Sequence, residues 1–236
     1  MSQLALPIIH LPDNTFENFI SETNKLVSVF LTDKITALSS TLGSLEIVYL
    51  HNKEAVGKTH LLHACCRYAE SLKLASVYLD CEYLTQMPPE ILTDIEENEL
   101  ICIDNLHVCI ASEDWQLAMF DLINKLREKG DKVIVFAASK KPDALEFSLP
   151  DLISRLNWGT RFKLKEYSDD DKIEILMTHA DERGFTLSAQ CCRYILKTCN
   201  RDLHQLLAIV DVIDNFSLQE KRYMTIPLLK KALGQA

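Results

Sequence analysis

The sequence predicts an α/β fold: a five-stranded parallel sheet flanked by helices, followed by a small all-α domain. Three observations carry this expectation. Short apolar runs such as Leu45–Leu50 and Leu100–Ile103 alternate with amphipathic stretches of helix length, the pattern of strands buried on both faces and joined by crossover helices. Between the first run and the first long helix lies a polar loop, residues 52–59, that ends in Gly57-Lys58-Thr59. After Glu166 helical patterns succeed one another without an intervening strand.

Composition sets the outer limits. A chain of 236 residues, 47% of them hydrophobic, can build one medium domain with a smaller one attached. The net charge of −9 argues against a large sequence-independent DNA-binding surface, which depends on excess Lys and Arg. The eight cysteines lie mostly in apolar runs, with Cys65-Cys66 and Cys191-Cys192 adjacent and no C-x-x-C spacing. They are expected to be buried thiols in a reducing cytosol rather than zinc ligands or disulfides. His107 and Cys109 lack a second pair of ligands and are read as packing. No signal peptide or membrane-length apolar run is visible, so a cytoplasmic protein is expected.

Taken in order, residues 1–12 are apolar, carry two prolines and have no helical period, which predicts an extended arm. Leu26, Val29, Phe30 and Leu38 recur at helical spacing within a helix expected over 22–42. Leu45–Leu50 is the first strand and Thr59 onward the next helix. Ser76–Asp80 is a second strand, and Pro88-Pro89 opens a short helix. The stretch 96–99 reads as an acidic surface turn before the third strand, Leu100–Asp104. Asp114–Lys129 is the clearest amphipathic helix, stopped by Gly130, and Lys132–Ala138 is the fourth strand. Pro142 and Pro150 mark two short helices, and 160–164 is the fifth strand. Ser168-Asp169-Asp170-Asp171 starts the first of about four closing helices, its carboxylates placed for the helix dipole. The expected domains are therefore the arm at 1–12, an α/β nucleotide-binding domain at 13–165 and a helical lid at 166–236.

The chemistry concentrates on residues 52–59. The pattern G-x-x-x-x-G-K-[ST] surrounds phosphates with backbone N–H groups, reaches the terminal ones with Lys and offers a hydroxyl to Mg²⁺. Gly57, Lys58 and Thr59 match it; Asn52 replaces the first Gly, a residue that tolerates left-handed backbone better than most. Asp104 closes a buried strand about one βαβ unit later, where a carboxylate can hold Mg²⁺ directly or through water.

With the loop, Asp104, the strand alternation and the helical tail together, the chain resembles the AAA+ P-loop ATPases over almost its whole length. In that family the strand of Asp104 normally ends in Asp-Glu. Here the pair is Asp104-Asn105, and an amide cannot accept the proton of an attacking water. The resemblance thus implies a bound ADP or ATP with Mg²⁺ held through Thr59 and Asp104, and weak or no intrinsic hydrolysis. Leu149-Pro150-Asp151-Leu152-Ile153-Ser154-Arg155-Leu156-Asn157-Trp158-Gly159 is similar to the box of DnaA-type initiators whose Arg acts as a finger in trans, making Arg155 the implied catalytic group. Asn200-Arg201-Asp202-Leu203 is similar to the sensor II position, and Ser139 falls near sensor I.

The chain ends at Ala236 without room for an initiator's helix-turn-helix domain, and the arm Gln3-Leu4-Ala5-Leu6-Pro7-Ile8 looks like a sliding-clamp motif. Gln3 would hydrogen-bond in the clamp pocket, while Leu4, Leu6 and Ile8 supply apolar contacts. The resemblance therefore narrows to those members of the DnaA-related family that regulate the initiator negatively. It implies docking on the DNA polymerase III sliding clamp (beta subunit), contact with DNA only through that clamp, and activation of ATP hydrolysis on DnaA. Two other readings stay open: an autonomous ATPase that loads or remodels a replication protein, and an adaptor that only recruits a partner to DNA. Whether the chain forms a homo-oligomer is also open at this stage.

Overall fold

The computed structural model describes residues 14–40, 43–220 and 224–232. The arm at 1–12, with Gln3, Leu4, Leu6 and Ile8, lies outside these residues. The described chain divides into two compact units. The first comprises residues 14–19, Leu26–His51 and Gly57–Lys163, and the second Ile20–Lys25, Asn52–Val56 and the chain from Leu164 onward.

In chain order the elements leading through the first unit are α1 (Lys25–Ala37), β1 (Glu46–His51), α2 (Lys58–Ser71), β2 (Ser76–Asp80), α3 (Cys81–Leu84) and β3 (Leu100–Asp104). They continue with α4 (Glu113–Lys129), β4 (Val133–Ala138), α5 (Pro150–Leu156) and β5 (Thr160–Lys163). The strands form one parallel sheet in the order β2-β3-β4-β1-β5. Every residue of β3 and β4 is buried, which explains why both read as unbroken apolar runs instead of alternating ones. The core joins Tyr49, Ile101, Ile103 and Phe136 of the sheet to Trp115, Met119, Ile123 and Leu126 of α4. Because all strands run the same way, the loop after β1, Asp80, Asp104 and Ser139 all leave the sheet at its carboxyl edge, where ligands of open α/β sheets bind.

Three sequence expectations shift. Helix α1 is shorter than 22–42: a 3₁₀ turn at Glu22–Asn24 precedes it and it ends at Ala37. Its buried face is Val27, Leu31 and Ile35, an i, i+4, i+8 row, while Leu26 is 74% exposed and Val29 49%. The apolar surplus of that helix left its core face ambiguous to periodicity. The stretch at 96–99 is not wholly superficial either, since Glu96 is buried and pairs with Lys125 of α4 at 3.5 Å.

The helices of the second unit are α6 (Asp169–Glu182), α7 (Ala189–Thr198), α8 (Leu203–Glu220) and α9 (Ile226–Ala232). Ser168 and Asp171 form a reciprocal capping box at α6, so the acidic run starts the helix as its sequence predicts. Ser188 caps α7 by accepting the Cys191 N–H at 3.3 Å. Leu176, Cys192, Ile195, Leu206, Val210 and Ile213 make a separate core. None of the eight cysteines forms a disulfide; seven are buried and Cys199 is half-buried, as small hydrophobes are. Among the described residues no cluster of metal-ligating side chains is present and no helix is long and apolar enough to cross a membrane.

Candidate functional site

At the start of α2, Gly57 sits in the left-handed region at φ 81°, ψ 23° and serves as the helix N-cap. Glycine adopts this backbone without steric cost, and it leaves the amides of Lys58 and Thr59 in the first turn, where no intrahelical acceptor exists for them. A helix N-terminus whose first N–H groups have no intrahelical acceptor, with a Lys side chain beside them, favours an anion.

Asn52, assigned to the second unit, meets the missing-glycine problem differently from the expectation. Left-handed non-glycine backbone occurs at Lys73, Asp94, Asn105 and Asp131, not at Asn52. Its side chain instead accepts the Glu54 N–H at 2.9 Å and donates to the Leu164 carbonyl at 2.8 Å. An Asx-type turn therefore replaces the flexibility of Gly.

Asp104 is the hub of the site in the first unit. It is 1% exposed, and its Oδ2 accepts the Thr59 hydroxyl at 2.6 Å and the Tyr78 hydroxyl at 3.1 Å. Its Oδ1 accepts the backbone N–H of Asn105 at 2.8 Å. A buried carboxylate remains stable only when its lone pairs are filled in this way. The hydroxyl of Thr59 and this carboxylate form an oxygen-only pair, which fits Mg²⁺ and does not fit zinc or copper.

Asn105 has left-handed backbone, φ 52° and ψ 34°, which turns its side chain toward β2. Its Nδ2 donates to Asp80 Oδ1 at 3.0 Å, and the same oxygen accepts the Glu82 N–H at 3.0 Å. His107 lies in the field of Lys58, and burial together with that cation keeps its pKa below the ordinary range. His63 stacks edge-on against Tyr78 with ring centroids 4.4 Å apart, and burial lowers its pKa as well. Ser139 follows β4 directly and is half-buried at the same edge.

Arg155, on the last turn of α5, stands on a different part of the first unit. Its Nε donates to Asn124 Oδ1 at 3.0 Å. Its guanidinium lies 3.9 Å from the centroid of Trp158 and 5.4 Å from that of Phe120. Arg127 lies 4.9 Å from the same indole. Trp158 is 50% exposed, so two guanidinium groups and an indole form a cationic, solvent-facing cluster. Gly159 permits the turn that follows: a Cβ there would fall 2.3 Å from the Ile47 carbonyl oxygen. In the second unit Arg201 is exposed, its guanidinium paired with Asp169 and its carbonyl accepting from Lys172 at 2.9 Å.

The structure thus brings Gly57, Lys58, Thr59 and Asp104 together within the first unit, with Ser139 at the same edge of the sheet. Sequence reasoning missed Tyr78 and Asp80. The signal for Asp80 was present, since Ser-Val-Tyr-Leu-Asp ends in a carboxylate as Leu-Ile-Cys-Ile-Asp does.

A five-stranded parallel sheet with a phosphate-loop helix at its carboxyl edge and a separate helical lid defines the AAA+ class of nucleotide-binding proteins. The model of the bacterial DnaA ATPase domain matches residues 11–163, and that of the Hda lid domain matches residues 169–233. This chain belongs to the Hda- and DnaA-related AAA+ family. An uncharacterized protein of Haemophilus influenzae is 36% identical over 232 residues, covering 98% of each chain. Domain III of the Thermotoga maritima replication initiation protein DnaA superposes with a TM-score of 0.79 at 20% identity, covering 94% of this chain and 96% of that one. Aquifex aeolicus DnaA bound to AMPPCP gives 0.72 at 21% identity, with 88% and 67% covered. The Thermotoga maritima RuvB Holliday junction branch migration motor also gives 0.72, at 16% identity with 95% and 72% covered.

Proposed function

We infer that this chain is a negative regulator of replication initiation: holding ADP or ATP, it docks on the DNA-loaded sliding clamp and presents Arg155 to ATP bound by DnaA. Hydrolysis there converts the initiator to its ADP form. The observation that carries this reading is the state of Arg155. Its guanidinium is neither buried nor neutralised by an ion pair among the described residues; it is held by an amide and two aromatic faces, with Trp158 open to solvent. Such a group keeps its full charge and a defined direction, as a finger acting on another molecule's phosphates requires. The cluster of Lys58, Thr59 and Asp104 supports binding of the chain's own nucleotide. Mg²⁺ would be held through Thr59 and Asp104 and would neutralise phosphate charge; Ser139 and Arg201 are the proposed sensor positions. Asn105 in place of a carboxylate favours the regulatory reading over an autonomous ATPase.

The arm with Gln3, Leu4, Leu6 and Ile8 is the proposed clamp contact. A finger supplied in trans contributes about three to five orders of magnitude in rate, so a chain with little hydrolysis of its own can act as a switch on its partner. Arg155→Ala should remove stimulated hydrolysis on DnaA while the variant still binds the clamp. Replacing Gln3, Leu6 and Ile8 with Ala should do the reverse, with clamp capture lost and the Arg155 cluster intact. Full stimulation by the Arg155→Ala chain would rule the finger out.

A further inference from the structure

Helix α4 carries three cations, Lys125, Arg127 and Lys129, all toward its C-terminal end. Two of them are neutralised: Lys125 pairs with Glu96 at 3.5 Å, and Lys129 pairs with Glu97. Arg161, just beyond Trp158 in the chain, pairs with Asp143 at 3.6 Å. Arg127 differs from all three. It is exposed, makes no ion pair or hydrogen bond among the described residues, and lies on the face of Trp158, 4.9 Å from the ring centroid. The helix dipole favours a cation in a last turn. That accounts for the charge, but not for its place on an indole that already carries Arg155.

The guanidinium carbons of Arg155 and Arg127 lie 3.9 and 4.9 Å from one centroid, so they stand no more than about 9 Å apart, roughly one Debye length. Like charges at that range repel. Both also keep donors to spare, since Arg155 commits its Nε to Asn124 and Arg127 commits none. In a chain of net charge −9, positive potential is thus concentrated at one solvent-facing spot, and the repulsion is relieved when an anion meets both groups. With Arg155 reaching the terminal phosphate of a partner's ATP, the anion beside Arg127 is the same phosphate chain.

We propose that Arg127 is a specificity-determining residue of this interaction: it binds the phosphate chain of the partner's nucleotide next to Arg155, so that the triphosphate form of the partner is engaged more tightly than the diphosphate form. The proposal rests on the role inferred for Arg155 and divides the work between the two groups. Arg155 meets charge that develops in the transition state and sets the maximal rate. Arg127 meets charge already present on ATP and sets affinity. Once a phosphate is lost, less negative charge faces the pair and the product complex weakens.

The test uses the full chain carrying Arg127→Gln, whose amide keeps a planar group near Trp158 without the charge. Hydrolysis of DnaA-bound ATP is followed at increasing concentrations of the chain, with clamp and DNA fixed. The half-maximal concentration should rise by about tenfold, the scale of one charge-assisted hydrogen bond, while the maximal rate stays within about twofold of wild type. Arg127→Lys should recover part of the affinity, and added salt should weaken the Gln variant less than wild type. Binding to DnaA without turnover, measured with AMPPCP and with ADP, identifies the anion: the Gln variant should lose affinity mainly for the AMPPCP form. Equal losses in both forms would assign Arg127 to a carboxylate of the partner and overturn the proposal. A half-maximal concentration like that of wild type would also overturn it, as would a lowered maximal rate, which would make Arg127 a prop for Trp158. Full stimulation by Arg155→Ala removes the reading beneath the proposal, whereas an inactive Arg155→Ala beside a wild-type-like Arg127→Gln removes the proposal alone.

Discussion

Trp158→Ala isolates how much of the effect proposed for Arg155 comes from holding its guanidinium in place. The substitution removes the aromatic face 3.9 Å from Arg155 and 4.9 Å from Arg127. A cation–π contact at an exposed site contributes about 0.5–1 kcal/mol, and Arg155 keeps its bond to Asn124 and the face of Phe120. Losing about 1 kcal/mol of orientation corresponds to roughly a fivefold slower stimulated step, far short of the three to five orders of magnitude tied to the guanidinium itself. The assay is hydrolysis of DnaA-bound ATP at fixed clamp and DNA, with the unfolding temperature measured in parallel. Because the indole is half-exposed, a stability loss of about 1 kcal/mol and a fall of about 2–4 °C are expected. Loss of activity equal to that of Arg155→Ala, in a variant that stays folded, would refute the reasoning and make Trp158 a partner contact in its own right.

Two further outcomes follow from the same geometry. Gly159→Ala would force a Cβ to within 2.3 Å of the Ile47 carbonyl oxygen and 2.7 Å of the Ile47 side chain; overpacking of this kind costs about 1–3 kcal/mol or more, so denaturant unfolding should shift to lower midpoint, and an unchanged midpoint would mean the strand edge yields. His51, His63 and His107 each have lowered pKa values, burial being the first cause in each case. The unfolded chain then binds more protons in acid, so stability should hold above an imidazole's ordinary pKa of about 6.5 and fall as pH drops below it. A denaturation midpoint that rises between pH 7.5 and pH 5.5 would contradict that sign.

Much of the fold could be read directly because a few physical signals coincide. β3 and β4 are unbroken apolar runs of five and six residues, fully buried on both faces, and the amphipathic α4 ends at a left-handed Gly130. The same directness failed where apolar residues were plentiful or polar ones were buried. In α1 Leu26 and Val29 fit a helical apolar spacing but are exposed, and the helix turns Val27, Leu31 and Ile35 inward. In α4 Gln116 is 1% exposed because its amide bonds Ile110, Ser148 and Leu149, a tertiary role with no local signature. At the site, Gly57, Lys58, Thr59 and Asp104 were legible from spacing. Tyr78 had no such signal, and for Asp80 only its place at a strand end was readable, because the contacts of both with Asp104 and Asn105 depend on β2 pairing with β3 in register. The aromatic support of Arg155 likewise arises from α4 and α5 meeting in space.

The measurement that reaches the central claim most directly is the rate at which DnaA-bound ATP is hydrolysed with DNA-loaded clamp present, with and without the wild-type chain. The account expects addition of the chain to accelerate hydrolysis strongly, toward the three to five orders of magnitude of a finger acting in trans, and expects the gain to vanish when clamp is omitted. An unchanged rate with clamp, DNA and nucleotide all supplied would contradict it.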